Sequence, residues 1–308
     1  MNDNLQILFS ALQANYHFRQ LKVIKEQPMI VETERGLKKI RVWNDERLLR
    51  RHVSWRMKLI NDRFFVDRMY VTQSGNPFIR LGRFAVTCHD APLERATLSG
   101  NEPIWAETVS TLVAKSRDSV NNHEKSTVIR QHAESIFEQY RQTGLFSGST
   151  GKLAAACYPS VRERAEQADS LRSRHSRRSE SVILPDTFSL GDSRSLLDTL
   201  FIEFGQKAPV NGYRGLARFF LDGFRESGEE SVRSFFLCLK EKGVPDRETA
   251  DLVRAEWFDP SEWFWLVDSL SNASEDSQRD QDLQAFKTVW DHKTRLIGLF
   301  DSVFSQPV

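Results

Sequence analysis

Residues 31–90, VETERGLKKIRVWNDERLLRRHVSWRMKLINDRFFVDRMYVTQSGNPFIRLGRFAVTCHD, decide the fold of this chain. Short runs rich in β-branched and aromatic residues predict strands on both sides of one amphipathic helix. That helix carries an apolar stripe from Leu48 to Ile60, and Asn44 or Asp45 precedes it as a capping residue, because short acceptor side chains bond the free N–H groups of a first turn. The stretch therefore predicts a small α+β lobe.

The flanking residues extend this lobe in both directions. Leu5, Leu8, Phe9 and Leu12 recur at helical spacing and predict an opening helix over residues 4–16. Strands are predicted around 21–23, 30–33 and 40–43, with a break at Gln27-Pro28. A hairpin is predicted from residues 64–72 and 77–87 around the turn Ser74-Gly75-Asn76.

After Pro92 the pattern is helical to the end of the chain. Two polar, serine-rich segments without apolar period, residues 171–181 and 271–282, predict loops. The predicted helices are Ile104–Ser116, Glu124–Gln142, Lys152–Leu171, Ser193–Phe204, Tyr213–Phe224, Glu230–Lys242, Arg247–Phe258, Ser261–Leu270 and Leu283–Phe304.

The composition excludes several classes of protein. Lys plus Arg (43) nearly balances Asp plus Glu (42), so no global field attracts nucleic acid or anionic lipid. The three cysteines are far apart and odd in number, which is typical of a reducing compartment. No window approaches the roughly 18 apolar residues of a spanning helix, and the N-terminus does not have the pattern of a signal peptide. We expect a cytoplasmic protein without membrane insertion and without nucleic-acid partners.

Several stretches resemble a known family. They are the Thr-x-x-Gly turn with its basic strand (33–43), VDRMYVTQSGNPFI (66–79), VILPDTFSLGDSRSLLDTL (182–200) and RAEWFDPSEWFWLVDSL (254–270). These stretches resemble the bacterial spore-coat kinase-like proteins of the CotS/YutH type. That group is similar to the aminoglycoside-phosphotransferase branch of the protein-kinase-like fold.

The resemblance implies a two-lobed protein-kinase-like fold of the α+β class. A small β-rich N-terminal lobe would span residues 1–90, an inter-lobe crossing 91–100, and a mostly helical C-terminal lobe 101–308. It also implies synthesis in the mother-cell cytoplasm, a place in the spore coat, and other spore-coat proteins as partners. The oligomeric state stays open.

The catalytic loop of a kinase is missing from the sequence. A working kinase needs a strand lysine for the triphosphate, acidic and amide ligands for magnesium, and a carboxylate base near the acceptor hydroxyl. No histidine is followed two positions later by aspartate, and His132, His175 and His292 all lack it. We therefore predict no catalytic residue and expect no cofactor.

Lys39, Arg41 and Glu46 are the candidate nucleotide-binding residues. Lys39 and Arg41 fall on one face of a strand because side chains alternate. Arg41 is the better match to the basic position of the family, and Glu46 on the next helix is a candidate partner for it. The alternative interpretation is a solvated, charged strand and helix surface.

Asp192 and, more weakly, Asp186 are the candidate metal ligands. Asp192 precedes Leu196, Leu197, Leu200 and Phe201, so its alternative role is the N-cap of the predicted helix Ser193–Phe204. ATP and magnesium enter only if these aspartates and Arg41 support an active enzyme.

Four other motifs are explained by structure alone. FSGSTGKL (146–153) is not a P-loop, because Phe146 and Leu153 occupy required Gly and Ser/Thr positions. Cys88-His89-Asp90 lacks the second ligand pair of a zinc site. The basic run 172–178 predicts a solvated loop, and the aromatic residues of 257–265 predict core packing.

Two functions follow from these observations. The leading hypothesis is a catalytically degenerate kinase-like protein, a pseudokinase, that acts by protein binding in spore-coat assembly. The alternative is an active small-molecule phosphotransferase of the aminoglycoside- or choline-kinase type that uses ATP and magnesium. A third hypothesis is nucleotide binding without turnover, as a switch.

Overall fold

The computed structural model describes residues 3–304 apart from 62, 120–127, 176–179, 186–187, 189, 197–198 and 273–274, and apart from the side chains of 118, 119, 180, 181, 192, 196 and 276. The chain forms two compact units. The sheet unit comprises Met1–Thr97, Ala114–Ser116 and Leu184–Val210. The helical unit comprises Leu98–Val113, Arg117–Ile183 and Asn211–Val308.

A five-stranded antiparallel sheet forms the centre of the sheet unit. Its order is β1-β2-β3-β6-β5. The strands are β1 (Lys22–Lys25), β2 (Ile30–Thr33), β3 (Gly36–Trp43), β5 (Ile79–Leu81) and β6 (Phe84–Asp90). Helix α1 (Asp3–Tyr16) buries Leu8 and Leu12 in a core with Val31, Ile40 and Val86.

Helix α2 (Glu46–Lys58) follows β3 directly. The Asp45 side chain caps it, because its Oδ1 accepts from the N–H groups of Arg47 at 2.8 Å and Leu48 at 3.1 Å. The predicted cap at 44 or 45 is thereby confirmed. The helix buries Leu49, His52, Trp55 and Arg56, so part of its inner face is charged.

A second, three-stranded sheet joins distant parts of the chain within the same unit. Strand β4 (Phe64–Val66) pairs in parallel with β10 (Thr199–Ile202), which pairs antiparallel with β9 (Ser193–Leu196). The predicted helix Ser193–Phe204 is therefore wrong. The leucine spacing in this segment fits a helix, but pairing of β10 with the distant β4 decides for a strand.

The predicted hairpin between residues 64–72 and 77–87 is also wrong. Residues 64–66 pair with β10, and the hairpin lies instead between β5 and β6, with Gly82 at a φ of 58° in its turn. The turn at Gly75 does form, with a φ of 77°. Gly75 and Gly82 both lie in the left-handed region that favours glycine. A turn signal in the sequence therefore predicts a turn, but it does not predict which strands pair.

The helical unit contains most of α3 (Glu102–Ser116) and several further helices. Short strands β7 (Arg117–Ser119) and β8 (Glu180–Leu184) pair antiparallel, and β11 (Val210–Asn211) lies just before α7. The other helices are α4 (Ile129–Gln142), α5 (Ser149–Ala156), α6 (Tyr158–Arg174), α7 (Arg214–Glu241), α8 (Arg247–Phe258), α9 (Ser261–Asn272) and α10 (Asp276–Phe304).

Aromatic rings dominate the core of the helical unit. Phe220 contacts Phe236 with ring centroids 5.4 Å apart, and Phe236 contacts Phe300 at 5.3 Å. The Phe300 ring in turn lies 5.1 Å from that of Trp257. All of these contacts are edge-to-face, which is a favourable arrangement of ring quadrupoles. The predicted core packing of the aromatic residues of 257–265 is confirmed for the buried Trp257 and Trp263 but is wrong for Trp265, which is 47% exposed.

Several helix predictions differ from the structure at their ends. The predicted helix Lys152–Leu171 is two helices, divided at Cys157 ahead of a proline in the first turn of α6. Helix α7 joins two predicted helices across a kink at Gly228, whose φ is 80°. The predicted loop 271–282 is largely helical, because solvent-facing turns at the start of α10 need no apolar period.

Residues 146–153 form a turn and the start of α5, as predicted. A Cβ added at Gly151 would lie 2.2 Å from the carbonyl oxygen of Leu145. The glycine is therefore needed for close backbone packing and not for a phosphate. None of the described helices combines the length and apolar composition that crossing a bilayer requires.

Candidate nucleotide site around strand β3

Three cations on β3 are buried, and each has a carboxylate partner within the sheet unit. Lys38 pairs with Asp90, Lys39 with Glu203, and Arg41 with Asp67. Lys39 and Arg41 share one face of the strand, as predicted, while Lys38 lies on the other. The alternative of a solvated charged surface is wrong for this strand, because all three side chains are at most about a tenth exposed.

The pair between Lys39 and Glu203 lies at the end of β10. Lys39 Nζ donates to Glu203 Oε2 over 2.6 Å, and the two side chains are 11% and 14% exposed. Phe204 follows at once, and its ring lies 4.6 Å from the ring of Trp55 on α2. The segment at 203–204 is thus held between β3 and α2, with the carboxylate towards the strand.

Arg41 belongs to a different cluster, centred on the fully buried Asp67. Arg41 Nη1 donates to Asp67 Oδ2 over 3.2 Å, and Arg56 Nη2 donates to the same oxygen. His89 Nδ1 lies 3.1 Å from the other oxygen, Oδ1. His52 completes the cluster, since its Nδ1 lies 2.6 Å from Arg56 Nη1 and its Nε2 lies 2.9 Å from the carbonyl oxygen of Lys207.

The environment of this cluster lowers the pKa values of Asp67, His52 and His89. Burial by itself raises the pKa of Asp67, but His89, Arg56 and Arg41 outweigh it and hold that pKa well below its usual range. Burial, followed by the charge of Arg56, lowers the pKa of His52 to about 4. Burial likewise lowers the pKa of His89. The carboxylate is therefore ionised and the histidines are neutral at pH 7.

The predicted pair of Glu46 with Arg41 does not form. Glu46 accepts instead from Arg50 at 2.6 Å and Arg80 at 2.7 Å at the solvent-exposed start of α2. Hydrogen bonds from Arg80 and Arg50 lower the pKa of Glu46 to about 2. Arg41 and Lys39 are each paired with a buried carboxylate, Asp67 and Glu203 respectively, so the preference for Arg41 over Lys39 stays a prediction.

The predicted metal ligands cannot be placed by their side chains. Asp186 lies outside the described residues. The backbone of Asp192 ends a 3-10 turn over Leu190–Asp192, and its side chain lies outside the description. Its alternative role as an α-helix N-cap is wrong, because β9 and not a helix follows it. Both residues remain predictions as metal ligands.

The Cys88-His89-Asp90 stretch serves the sheet unit in three separate ways. Burial raises the pKa of the Cys88 thiol to about 12, so this cysteine is not a reactive thiolate. His89 contacts Asp67, and Asp90 accepts from Lys38 at 2.9 Å and from Tyr70 at 2.9 Å. Among the described residues no three or more His, Cys, Asp or Glu side chains come together as a group that could hold a metal ion.

The basic run at the end of α6 is structural where it is described. Arg172 pairs with Glu256 at 2.9 Å and with Asp259 at 3.4 Å, and His175 Nε2 lies 3.0 Å from Asp251. These contacts join α6 to α8 and the residue after it. Arg177 and Arg178 lie outside the described residues. The predicted solvated loop therefore does not apply to residues 172–175.

Glu203 is the residue that sequence reasoning missed. The chain reads Glu203-Phe204-Gly205, which differs by one methylene from the Asp-Phe-Gly that holds magnesium in protein kinases. Assigning residues 193–204 to a helix concealed this match. The preceding Thr-Leu-Phe-Ile run, rich in strand-forming residues, was the signal that could have revealed it.

Comparison with known proteins supports the fold alone. No family model matches the sequence, and no curated protein matches it as a relative. The structure is similar to that of an aminoglycoside phosphotransferase from Alicyclobacillus acidocaldarius, with a TM-score of 0.65 and 12% identity over 97% of this chain and 96% of that one.

Two other solved structures are similar at lower scores. A spectinomycin phosphotransferase in complex with ADP and its antibiotic matches with a TM-score of 0.55 and 10% identity over 94% of this chain and 98% of that one. An amicoumacin kinase matches with a TM-score of 0.53 and 10% identity over 94% and 96%. The chain therefore has the protein-kinase-like α+β fold, with a small sheet-containing N-terminal lobe and a mostly helical C-terminal lobe.

Proposed function

We propose that this protein is a catalytically degenerate kinase-fold protein that acts by binding other proteins. The observation that carries the proposal is the buried pair between Lys39 Nζ and Glu203 Oε2 at 2.6 Å. In an active kinase the strand lysine meets phosphate oxygens and the acid meets magnesium. Here the two groups neutralise one another, so this part of the site offers no net charge to a triphosphate.

The helix after β3 supports the same proposal. In protein kinases the strand lysine pairs with a glutamate of this helix, and that pair positions the phosphates. The carboxylate of α2, Glu46, pairs with Arg50 and Arg80 at its exposed start. The inner face of α2 supplies Arg56, which contacts Asp67. The buried residues of α2 are Leu49, His52, Trp55 and Arg56, so they include no acid that could position Lys39.

The sequence adds that the whole chain lacks a His-x-Asp catalytic loop. Without a positioned base, the transfer step loses both orientation of the acceptor and stabilisation of developing charge. Spore-coat proteins as partners, and assembly in the coat after synthesis in the mother cell, form the part of this proposal that rests on the sequence resemblance alone.

A second function, an ATP- and magnesium-dependent small-molecule phosphotransferase, is favoured by one observation. Lys39 and the Glu203-Phe204-Gly205 segment occupy one place in the sheet unit. The spectinomycin phosphotransferase was solved with ADP, and the amicoumacin kinase with AMP-PNP and calcium. If nucleotide separated the pair, Lys39 would be free for phosphate and Glu203 for the metal.

Thermal unfolding with and without ~1 mM ATP and excess magnesium distinguishes the two functions. A ligand at about 100 times its Kd adds about 2.7 kcal/mol, which raises the unfolding midpoint by about 4 °C in a chain of this size. We expect no shift. A magnesium-dependent rise that is lost in both Lys39→Met and Glu203→Gln, but retained in the exposed control Lys22→Met, would favour the phosphotransferase. Phosphate transfer to a small-molecule acceptor would then be measured directly.

A further inference from the structure

An apolar groove lies beside the last turns of helix α2 within the sheet unit. We call it the α2 groove; its volume is about 300 Å³. One wall is formed by Val53 and Met57, which are four residues apart on α2, and by Ile60 just after the helix. The other wall comes from the segment after α2, and its apolar lining residues are Phe64, Phe65, Val66, Met69, Val71 and Pro77.

Three large apolar side chains at this groove are left in solvent. Met57 is 63% exposed, Ile60 62% and Val71 62%. Val53 packs partly against the core cluster of Trp43, Leu49 and Ala85, whereas Met57 and Ile60 lie outside that cluster and remain exposed. Exposed apolar side chains clustered beside a groove mark an interaction site, whereas single ones do not.

The surroundings of the groove are basic. Arg68 lines it in an exposed position, with its guanidinium 5.2 Å from the ring centroid of Tyr70. Lys58, which directly follows the groove residue Met57, is also exposed, whereas Arg47, Arg50 and Arg51 of α2 do not line the groove. The surface around the apolar walls therefore attracts negative charge.

Two buried charged residues also line the groove. Asp67 does not cancel the basic field, because Arg41 and Arg56 neutralise it. Arg56 is buried, and its Nε has no hydrogen-bond acceptor among the described residues. Because that nitrogen is buried, a ligand in the groove does not reach it, and the accessible positive charge of the lining is that of Arg68.

We propose that the α2 groove docks an acidic, amphipathic segment of a partner protein. Its apolar side chains lie against Met57, Ile60 and Val71, and its carboxylates face Arg68 and Lys58. Helical segments commonly bind apolar grooves in this way, through anchors spaced at i, i+3 or i+4, and i+7. The inference rests on the proposed function in that the protein acts by binding another protein.

Two synthetic peptides of about 14 residues test the groove, each with leucine at i, i+3, i+4 and i+7. One carries glutamate at the remaining positions and the other carries lysine. Each is labelled with a fluorophore and titrated by anisotropy with the full-length protein. We expect the glutamate peptide to bind at least about tenfold more tightly than the lysine peptide, with the difference decreasing as salt rises.

The variants assign binding to the groove. Met57→Glu and Val71→Glu should each weaken the glutamate peptide by about tenfold or more, because each places a like charge on the wall. Arg68→Glu should reduce or reverse the preference between the peptides. Leu93→Glu is the matched control, since Leu93 is 70% exposed and does not line the groove. Because all these side chains are exposed, each variant should keep the wild-type unfolding midpoint. If Met57→Glu or Val71→Glu lowers the midpoint, Met57→Ser or Val71→Ser is used in its place.

Absence of peptide binding, equal binding of both peptides, or binding that survives both groove variants would overturn the proposal. The peptide-binding result can be distinguished from the result of thermal unfolding with ATP and magnesium. Lys39→Met should bind the peptide as the wild type does, whereas a shift with ATP and magnesium would show nucleotide binding without changing the peptide result, and only phosphate transfer would contradict the degenerate-kinase function.

Discussion

Two buried clusters, one in each unit, place a single carboxylate between two cations. In the sheet unit Asp67 lies between Arg41 and Arg56. In the helical unit Glu262 of α9 accepts from Arg164 of α6 at 3.2 Å and from Lys293 of α10 at 2.5 Å. Each cluster carries one more positive than negative charge, so the difference between them lies in the neutral groups around the cations.

In the helical unit the cations have independent acceptors. Lys293 also donates to the carbonyl oxygen of Asp259 at 2.8 Å, and Arg164 donates to that of Trp290 at 3.3 Å and lies over the Trp290 ring. In the sheet unit the arginines contact Asp67 and the neutral ring of His52, and Arg56 also lies 5.8 Å from the centroid of the Phe204 ring. The sheet cluster therefore depends on one carboxylate and on neutral histidines, while the helical cluster distributes its charge.

The largest effect should come from removing the carboxylate of the sheet cluster. Asp67→Ala leaves Arg41 and Arg56 buried and unpaired, and we expect a loss of about 3–5 kcal/mol in the free energy of unfolding. Urea denaturation followed by circular dichroism measures it. A loss below about 1 kcal/mol would mean that water or another group replaces the carboxylate easily.

The matching change in the helical unit should cost less. Glu262→Ala leaves Lys293 and Arg164 with carbonyl acceptors, so we expect a loss of about 2–3 kcal/mol. The same denaturation experiment applies. If Glu262→Ala and Asp67→Ala lower the free energy of unfolding equally, the carbonyl acceptors of the helical cluster do not stabilise its cations after the carboxylate is removed.

Mild acid should destabilise the protein through the sheet cluster. The pKa of His52 is about 4 in the folded chain and about 6.5 when unfolded, so the unfolded chain takes up the proton first as pH falls. Between about pH 7 and pH 5 we expect a loss of about 2 kcal/mol from this residue. Asp67 adds nothing in this window, because its stabilisation is lost only below its unfolded pKa of about 3.9.

His52→Gln isolates that residue. Glutamine has no proton to gain and can still donate to the carbonyl oxygen of Lys207, so the stability of the variant should fall less steeply with pH than that of the wild type. His89, whose pKa is also lowered, supplies the remaining slope. Urea midpoints at several pH values measure both curves, and parallel curves would show that the pKa of His52 is the same in the folded and the unfolded chain.

The smallest effect should come from an exposed pair in the sheet unit. Lys22 and Glu32 lie 3.6 Å apart with side chains 75% and 53% exposed. Lys22→Ala should change the free energy of unfolding by less than about 0.5 kcal/mol, because solvent screens such pairs. An effect above about 1 kcal/mol would mean that burial does not determine how much an ion pair contributes to the stability of this protein.

Local physical chemistry was sufficient for many elements. The Asp45 cap and the helix Arg247–Phe258, which starts after the cap Asp246, follow from side chains that bond their own first turn. The alternation that put Lys39 and Arg41 on one face follows from the pleat of a strand. Each of these features depends on residues only a few positions apart, so the sequence contains it.

By itself, then, the sequence determined an α+β lobe, a long helical part, the cations of β3 and the missing catalytic loop. Tertiary structure alone decided that residues 199–202 form a strand beside β4, that Lys39 pairs with Glu203, and that Arg41 pairs with Asp67. These contacts join residues distant along the chain, and the gain from pairing and burial appears only after the loops between them have closed. No local sequence pattern determines which distant residues will be in contact.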